Sequence, residues 1–258
     1  MPRIPIFITG LVLSCLCLSG AAISAEYTTK PVILDIDNSD RESVGALEWR
    51  GGVEILSEDG NFGGLSGLYI SPNGQHLSAV SDHGHWFNAS LRYRDGMLVG
   101  IDKPGFFPMI DKNGNFLTKP DTDAESIATL DGKTMFVSFE RRHRISQYST
   151  QRTPSGALAA PAGYANLANN GGVEAITYLC DGRLLAIAEK NKTRDPFVQG
   201  WIMSGDEWAS FSYKTTAGFR PTGAATLPNC DIIIVERSFS FINGVAAQIT
   251  IVKPVDFQ

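Results

Sequence analysis

Beyond its first 25 residues the sequence is short of the groups that most catalytic motifs are built from. It holds four histidines in all, and only two cysteines remain outside the N-terminal segment, Cys180 and Cys230. No Ser stands in a G-x-S-x-G elbow, although Ser66 and Ser126 lie near acidic residues, and no phosphate-binding Walker loop or dinucleotide fingerprint occurs. Charged residues make up 19% of the chain and the formal charge is −5, so the basic footprint that nucleic-acid binding needs is missing. His83 and His85, one residue apart, would face the same way on a strand, as some zinc sites require. His76 and His143 stand at no matching place, which makes zinc the minor reading. Helix-period patterning is scarce, and short alternating runs with plentiful Gly predict an all-β chain.

One long apolar run is present, at the N-terminus. Arg3 precedes an apolar stretch from Ile4 to about Gly20, and small residues then lead to Ala25. That order predicts a secretory signal peptide over residues 1–25, with 26–258 as the mature domain, periplasmic or secreted and free of the membrane once the leader is cut. A lipoprotein reading through Cys15 fits poorly, because Leu13 sits where a smaller residue is usual. Loss of Arg3 takes the formal charge to −6, a mildly acidic surface compatible with cation binding. In an oxidising compartment Cys180 and Cys230 could pair, and both occupy turns between strands. Two small buried residues is the other reading, and the oligomeric state is open.

Four segments repeat one strand–turn–strand unit. The first strands begin at Gly64, Asp123, Gly172 and Thr222, and the turns lie at Asn73-Gly74, Asp131-Gly132, Asp181-Gly182 and Asn229-Cys230-Asp231. Such turns supply the left-handed positions that short hairpins need. The second strands end at Asp82, Glu140, Glu189 and Glu236, at intervals of 58, 49 and 47 residues. This spacing suits the blades of a β-propeller. Outer strands are expected at 90–94, 97–102, 144–148 and 200–203, with an extra loop at 104–108. The mature length divided by the later spacing predicts a propeller of about five blades. A β-sandwich explains the strands but not the recurring acid.

In a propeller, equivalent positions of successive blades meet around one axis. Asp82, Glu140, Glu189 and Glu236 then form a ring, joined by Glu125 and Glu174 at the starts of their hairpins. Six carboxyl groups so close repel one another unless a cation binds, basic groups intervene or some stay protonated. Arg141, Arg142, Lys190 and Arg237 follow the acids, as does His83. The bland reading is a network of ion pairs closing hairpin ends. The functional reading makes the six acids oxygen ligands of a divalent cation, Ca²⁺ first, with one of them, such as Glu140, acting as base for water. Arg141, Arg237 and Lys190 would hold a small anionic or ester substrate, with His83 as general acid. Trp86 and Phe87 would either stack on a ligand or cover the propeller mouth.

These residues resemble a bacterial family, the phytase-like domain proteins labelled "esterase-like activity of phytase". The carriers are Gly64-Leu65-Ser66-Gly67-Leu68 with Ser81-Asp82-His83-Gly84, and Asp123-Ala124-Glu125-Ser126-Ile127 with Phe139-Glu140-Arg141. Gly172-Val173-Glu174-Ala175-Ile176 with Ala188-Glu189, and Arg220-Pro221-Thr222-Gly223 with Glu236-Arg237-Ser238-Phe239-Ser240, complete the set, which runs from about residue 62 to 251. The resemblance implies an exported propeller rich in Asp and Glu that hydrolyses a phosphoester or other ester, and, since family members continue to another repeat past the Glu236-Arg237-Ser238-Phe239-Ser240 segment, it adds a truncated six-bladed propeller to the five-bladed reading. Motifs of calcium-dependent propeller phytases are not evident. A non-catalytic binding propeller and a lactonase-like hydrolase with one axial cation are the alternatives.

Overall fold

The turn chemistry of the four repeats is realised as antiparallel hairpins, and further strands extend each into a sheet. The computed structural model describes residues 26–254 except 150, 152, 192–195 and 243, so the expected leader, 1–25, lies outside the described residues. The chain opens with β1 (Tyr27–Pro31), β2 (Ser43–Val44), β3 (Leu47–Glu48) and β4 (Val53–Ser57). The first blade follows as β5 (Leu65–Ile70), β6 (His76–Ser81), β7 (His85–Arg94) and β8 (Met97–Pro108). The second is β9 (Ala124–Ala128), β10 (Met135–Phe139), β11 (Arg144–Tyr148) and β12 (Gly156–Ala157). The third is β13 (Val173–Tyr178), β14 (Leu184–Ala188), β15 (Phe197–Ser204) and β16 (Glu207–Lys214). The fourth has three strands, β17 (Arg220–Thr226), β18 (Ile232–Ser240) and β19 (Gly244–Val252). In each blade the strands pair in sequence order, from the innermost outward.

The innermost strands β5, β9, β13 and β17 pack side by side in that order, and no comparable contact joins β17 back to β5 among the described residues. Apolar seams bind neighbouring blades. Val80 and Trp86 of the first meet Ile127, Val137 and Phe139 of the second. Ile176 and Ala186 of the third meet Ala128 and Ile145 of the second. Leu185 and Ile187 of the third meet Ile232 and Ile234 of the fourth. Each fully buried large apolar side chain contributes about 2–3 kcal/mol.

Among the described residues the architecture is an all-β propeller of four blades, rather than the five or so that the length suggested. Counting blades by length failed because the segment before β5 builds no blade. β1 pairs with β4, and Tyr27, Val53, Ile55 and Phe62 cover Leu77, Ala79 and Phe87 on the flank of the first blade. The expected outer strands all lie within β7, β8, β11 and β15. The loop expected at 104–108 is instead the end of β8, whose Pro108 pairs with His85 after a register shift at Asn88–Ser90.

Cys180 and Cys230 form a disulfide with Cα atoms 5.6 Å apart, joining the inner turns of the third and fourth blades. The turns match through Gly182 N to Leu179 O and Cys230 N to Leu227 O. Cys230 therefore stands where Gly74, Gly132 and Gly182 stand in the other hairpins, and like them it has a positive φ, 68°. A non-glycine there costs about 1 kcal/mol. The bond closes a loop of 50 residues, worth about 4 kcal/mol in the chain-entropy account. Cys180→Ser should lower stability by about that amount. Cys230→Gly should lose about 1 kcal/mol less, because glycine relaxes the turn; urea unfolding of both variants measures the difference.

Candidate functional site

Every inner hairpin carries a β-bulge at the same place. Register shifts skip Ser66 in β5, Glu125 in β9, Glu174 in β13 and Thr222 in β17. A bulge bends the strand and re-aims the extra side chain, and all four of these residues line one axial cavity of about 450 Å³. The residues following Ser81, Phe139, Ala188 and Glu236 on the partner strands are Asp82, Glu140, Glu189 and Arg237, and these four line it too.

This register corrects one expected member of the ring. The residue equivalent to Asp82, Glu140 and Glu189 is Arg237, whereas Glu236 matches the core residues Phe139 and Ala188. A shift of one residue turns a strand side chain to the opposite face. Glu236 is fully buried between the third and fourth blades. Its Oε2 accepts from Thr216 Oγ1 at 3.0 Å, Gln248 Nε2 at 2.6 Å and Thr250 Oγ1 at 3.2 Å, while Oε1 accepts from Tyr213 Oη at 3.3 Å. These donors satisfy the carboxylate structurally, away from the cavity.

The other five expected acids are brought together with Asp123, which carries no repeating mark in the sequence. One carboxylate oxygen from each of Glu140, Glu174 and Glu189 lies within 4.8 Å of the other two. Asp123 is buried and accepts from Lys119 Nζ at 2.9 Å and from Arg141 Nε. Arg141 sits just past β10 at φ 56°, an uncommon conformation for a non-glycine, which carries its side chain back to Asp123. Lys190 Nζ pairs with Glu189 Oε2 at 2.8 Å rather than standing free for a substrate. His83 is not part of the wall; it is exposed, with Nε2 3.5 Å from Asp82 Oδ1. Arg142 points elsewhere, to Asp121 at 2.8 Å. His85, the other half of the zinc reading, stacks on Phe106 instead. Trp86 and Phe87 are fully buried, Trp86 in the seam with the second blade and Phe87 under the flanking β1–β4 segment.

Six carboxyl groups and three cations line the cavity, a formal excess of three negative charges. The electrostatic consequence is large. Burial, then the charges of Glu189, Glu125 and Glu140, push the Glu174 carboxyl up to about 9. Burial, then Glu140, Asp82 and Asp123, push Glu125 up to about 7, opposed by a hydrogen bond from Ser66. Glu140 is also raised, by burial first, although Gly172 N donates to its Oε1 at 3.2 Å. Two of these acids thus hold protons near neutrality unless a cation replaces them.

The residues fit a hard divalent cation on three counts. The donors are all carboxylate oxygens. The spacing of the Glu140, Glu174 and Glu189 oxygens matches what one ion can span at ligand distances of about 2.4 Å. Asp82, which lines the cavity, has in Oδ1 a buried oxygen with no hydrogen-bond partner among the described residues. Gly64 makes room for it, since a Cβ there would collide with that same oxygen.

Comparison with solved structures finds similarity to propellers at low identity. Virginiamycin B lyase from Staphylococcus aureus shares 12% identity at a TM-score of 0.43, over 77% of this chain and 59% of the lyase. A streptogramin B lyase shares 10% at 0.41, over 78% of this chain and 70% of that one. The Dos1 propeller shares 7% at 0.40, over 72% and 47%. This chain thus spans 59% of the length of the virginiamycin B lyase it matches. No curated protein matches it in sequence. The family described as phytase-like, esterase-like activity of phytase, matches residues 60–257, the whole run of four blades, and the chain belongs to that family.

Proposed function

We propose that this chain is an exported hydrolase that uses a divalent cation, Ca²⁺ first, to cleave a small phosphoester or other ester. The observation that carries the reading is the convergence of the Glu140, Glu174 and Glu189 oxygens within 4.8 Å at the propeller axis. These three would hold the cation, with Asp82 also on the cavity wall. A cation held there supplies a Lewis acid beside a polarised water.

The chain's own groups divide the remaining work. Glu125, a buried carboxyl on the cavity wall that Ser66 hydrogen-bonds, is placed to take a proton from water. Arg237, on the cavity wall, is placed to hold an anionic oxygen of the substrate. Arg141 is engaged by Asp123 and so shapes the wall rather than gripping a ligand.

Purified mature protein should hydrolyse at least one of p-nitrophenyl phosphate, bis-p-nitrophenyl phosphate and p-nitrophenyl acetate, and EDTA should lower that rate at least tenfold with recovery on adding Ca²⁺. Absence of turnover in every arm, by protein shown to be folded, would sink the proposal in favour of a binding propeller.

A further inference from the structure

The third strands of the blades differ at one position. Ser81, Phe139 and Ala188 are counterparts, so Ala79, Val137 and Ala186 are too, and their partners in the third strands are Phe87, Ser146 and Trp201. Phe87 and Trp201 are fully buried, and Trp201 packs edge-on against Tyr164 with ring centres 5.4 Å apart. The fourth blade has Thr250 there, whose hydroxyl donates to Glu236. The second blade has Ser146, and in place of a ring it has a cavity of about 520 Å³. Its walls are β11, β12 with Pro154 and Ser155 before it, and the 111–121 connection into the second blade, and it shares no lining residue with the axial cavity.

Period-two alternation turns Arg144, Ser146 and Tyr148 to one face of β11, and all three line this cavity. Ser146 is 6% exposed and Tyr148 2%, and neither hydroxyl has a hydrogen-bond partner among the described residues. Arg144 uses two of its five N–H groups on Arg142 O, at 3.1 Å, and Asp121 O, at 2.6 Å. Lys112, exposed at the rim, makes no ion pair among the described residues. The two acids of the lining are engaged: Asp111 Oδ1 accepts from Asn113 N and Asn115 N in its own turn, and Asp121 pairs with Arg142 at 2.8 Å. Phe116, 69% exposed, supplies an open aromatic face beside Leu117. Apolar walls with a few convergent polar groups are the usual make-up of a small-molecule site.

We propose that this cavity is a second ligand site, independent of the axial one, and that it takes a small planar aromatic carboxylate. The ring lies over Ser146, where the first and third blades place Phe87 and Trp201, and against Phe116. The carboxylate meets Arg144 and Lys112, with the Tyr148 hydroxyl as a further donor. A guanidinium fork suits a carboxylate. A purely apolar guest would leave that fork and two hydroxyls dry and unpaired, and a cation would be repelled by Lys112, Arg142 and Arg144.

The probe is cinnamate, titrated into the mature wild-type chain and followed by calorimetry and by NMR contacts between its ring protons and the protein. The expected result is one saturable site whose contacts include Phe116 and Tyr148. Ser146→Phe, which restores the ring of the first blade, should weaken binding about tenfold or more. Lys112→Ala should weaken cinnamate about threefold and leave the neutral cinnamamide unaffected. Arg237→Gln, in the axial cavity, should bind cinnamate as the wild type does. Three results overturn the proposal: no saturable binding by the wild type up to about 2 mM, probe contacts confined to the axial cavity, or a folded Ser146→Phe protein that binds as tightly as the wild type. The first two are read on the wild type and decide the matter should the variant fail to fold.

Discussion

In EDTA the melting temperature of this protein should fall as pH rises from about 5 to about 9, and saturating Ca²⁺ should restore it. The direction follows from Glu174 and Glu125, whose carboxyls rise from an ordinary 4.5 to about 9 and about 7. A group that binds its proton more tightly in the folded state stabilises the fold fully below the unfolded value. That contribution is lost as pH climbs through the folded value. Between about pH 5 and 9 the unfolded chain has released both protons while the folded chain is made to surrender them. The expected loss is several kcal/mol, a fall of at least about 10 °C for a chain of this size. A cation that takes the place of those protons reverses the trend. At one hundred times its dissociation constant it adds about 2.7 kcal/mol, and its effect should grow with pH because the ligands must be ionised. Glu174→Gln should flatten the EDTA profile above neutral pH and abolish most of the Ca²⁺ shift. A melting temperature indifferent to both pH and Ca²⁺ would leave only an ion-pair network.

Neighbouring residues in β18 should give opposite phenotypes. Glu236→Ala is expected to destabilise by about 3–5 kcal/mol, a fall of roughly 10 °C, because it strips one acceptor from Tyr213, Thr216, Gln248 and Thr250 in a buried seam. It should leave the Ca²⁺ shift, measured at a temperature where the variant is folded, nearly intact. Arg237→Gln should change the melting temperature by less than about 1 kcal/mol equivalent, since Arg237 is exposed on the cavity wall. Its loss should raise KM for an anionic ester at least tenfold and leave a neutral acetate ester less affected. If Glu236→Ala abolishes the Ca²⁺ response while Arg237→Gln spares the anionic ester, the strand register is the wrong basis for the site.

The sequence carried the repeat because each inner hairpin needs a left-handed turn and alternating faces, and both leave local marks. Asn73-Gly74, Asp131-Gly132 and Asp181-Gly182 are legible for that reason. So are five of the six expected acids, since a carboxylate that recurs where an apolar strand ends must face a shared polar space in every blade. Asp123 stands within its repeat but is not legible as part of the site. Gly64, Gly172 and Arg220 occupy its place in the other blades, so no repeating signal marks it.

The all-β class, the hairpin repeat, the family and the axial gathering of acids were determined by the sequence itself, because local turn chemistry and period-two alternation encode them. Three matters were decided only by tertiary structure. The four-blade count depended on β1 and β4 covering the flank of the first blade rather than forming another. The disulfide depended on how closely two blades bring their turns, 5.6 Å between Cα atoms. The identity of the fourth ring residue depended on a bulge at Thr222 and the pairing of β17 with β18. Adjacent residues of a strand face opposite ways, so a one-residue ambiguity that is invisible in a repeat alignment separates a buried, satisfied Glu236 from an Arg237 that lines the cavity.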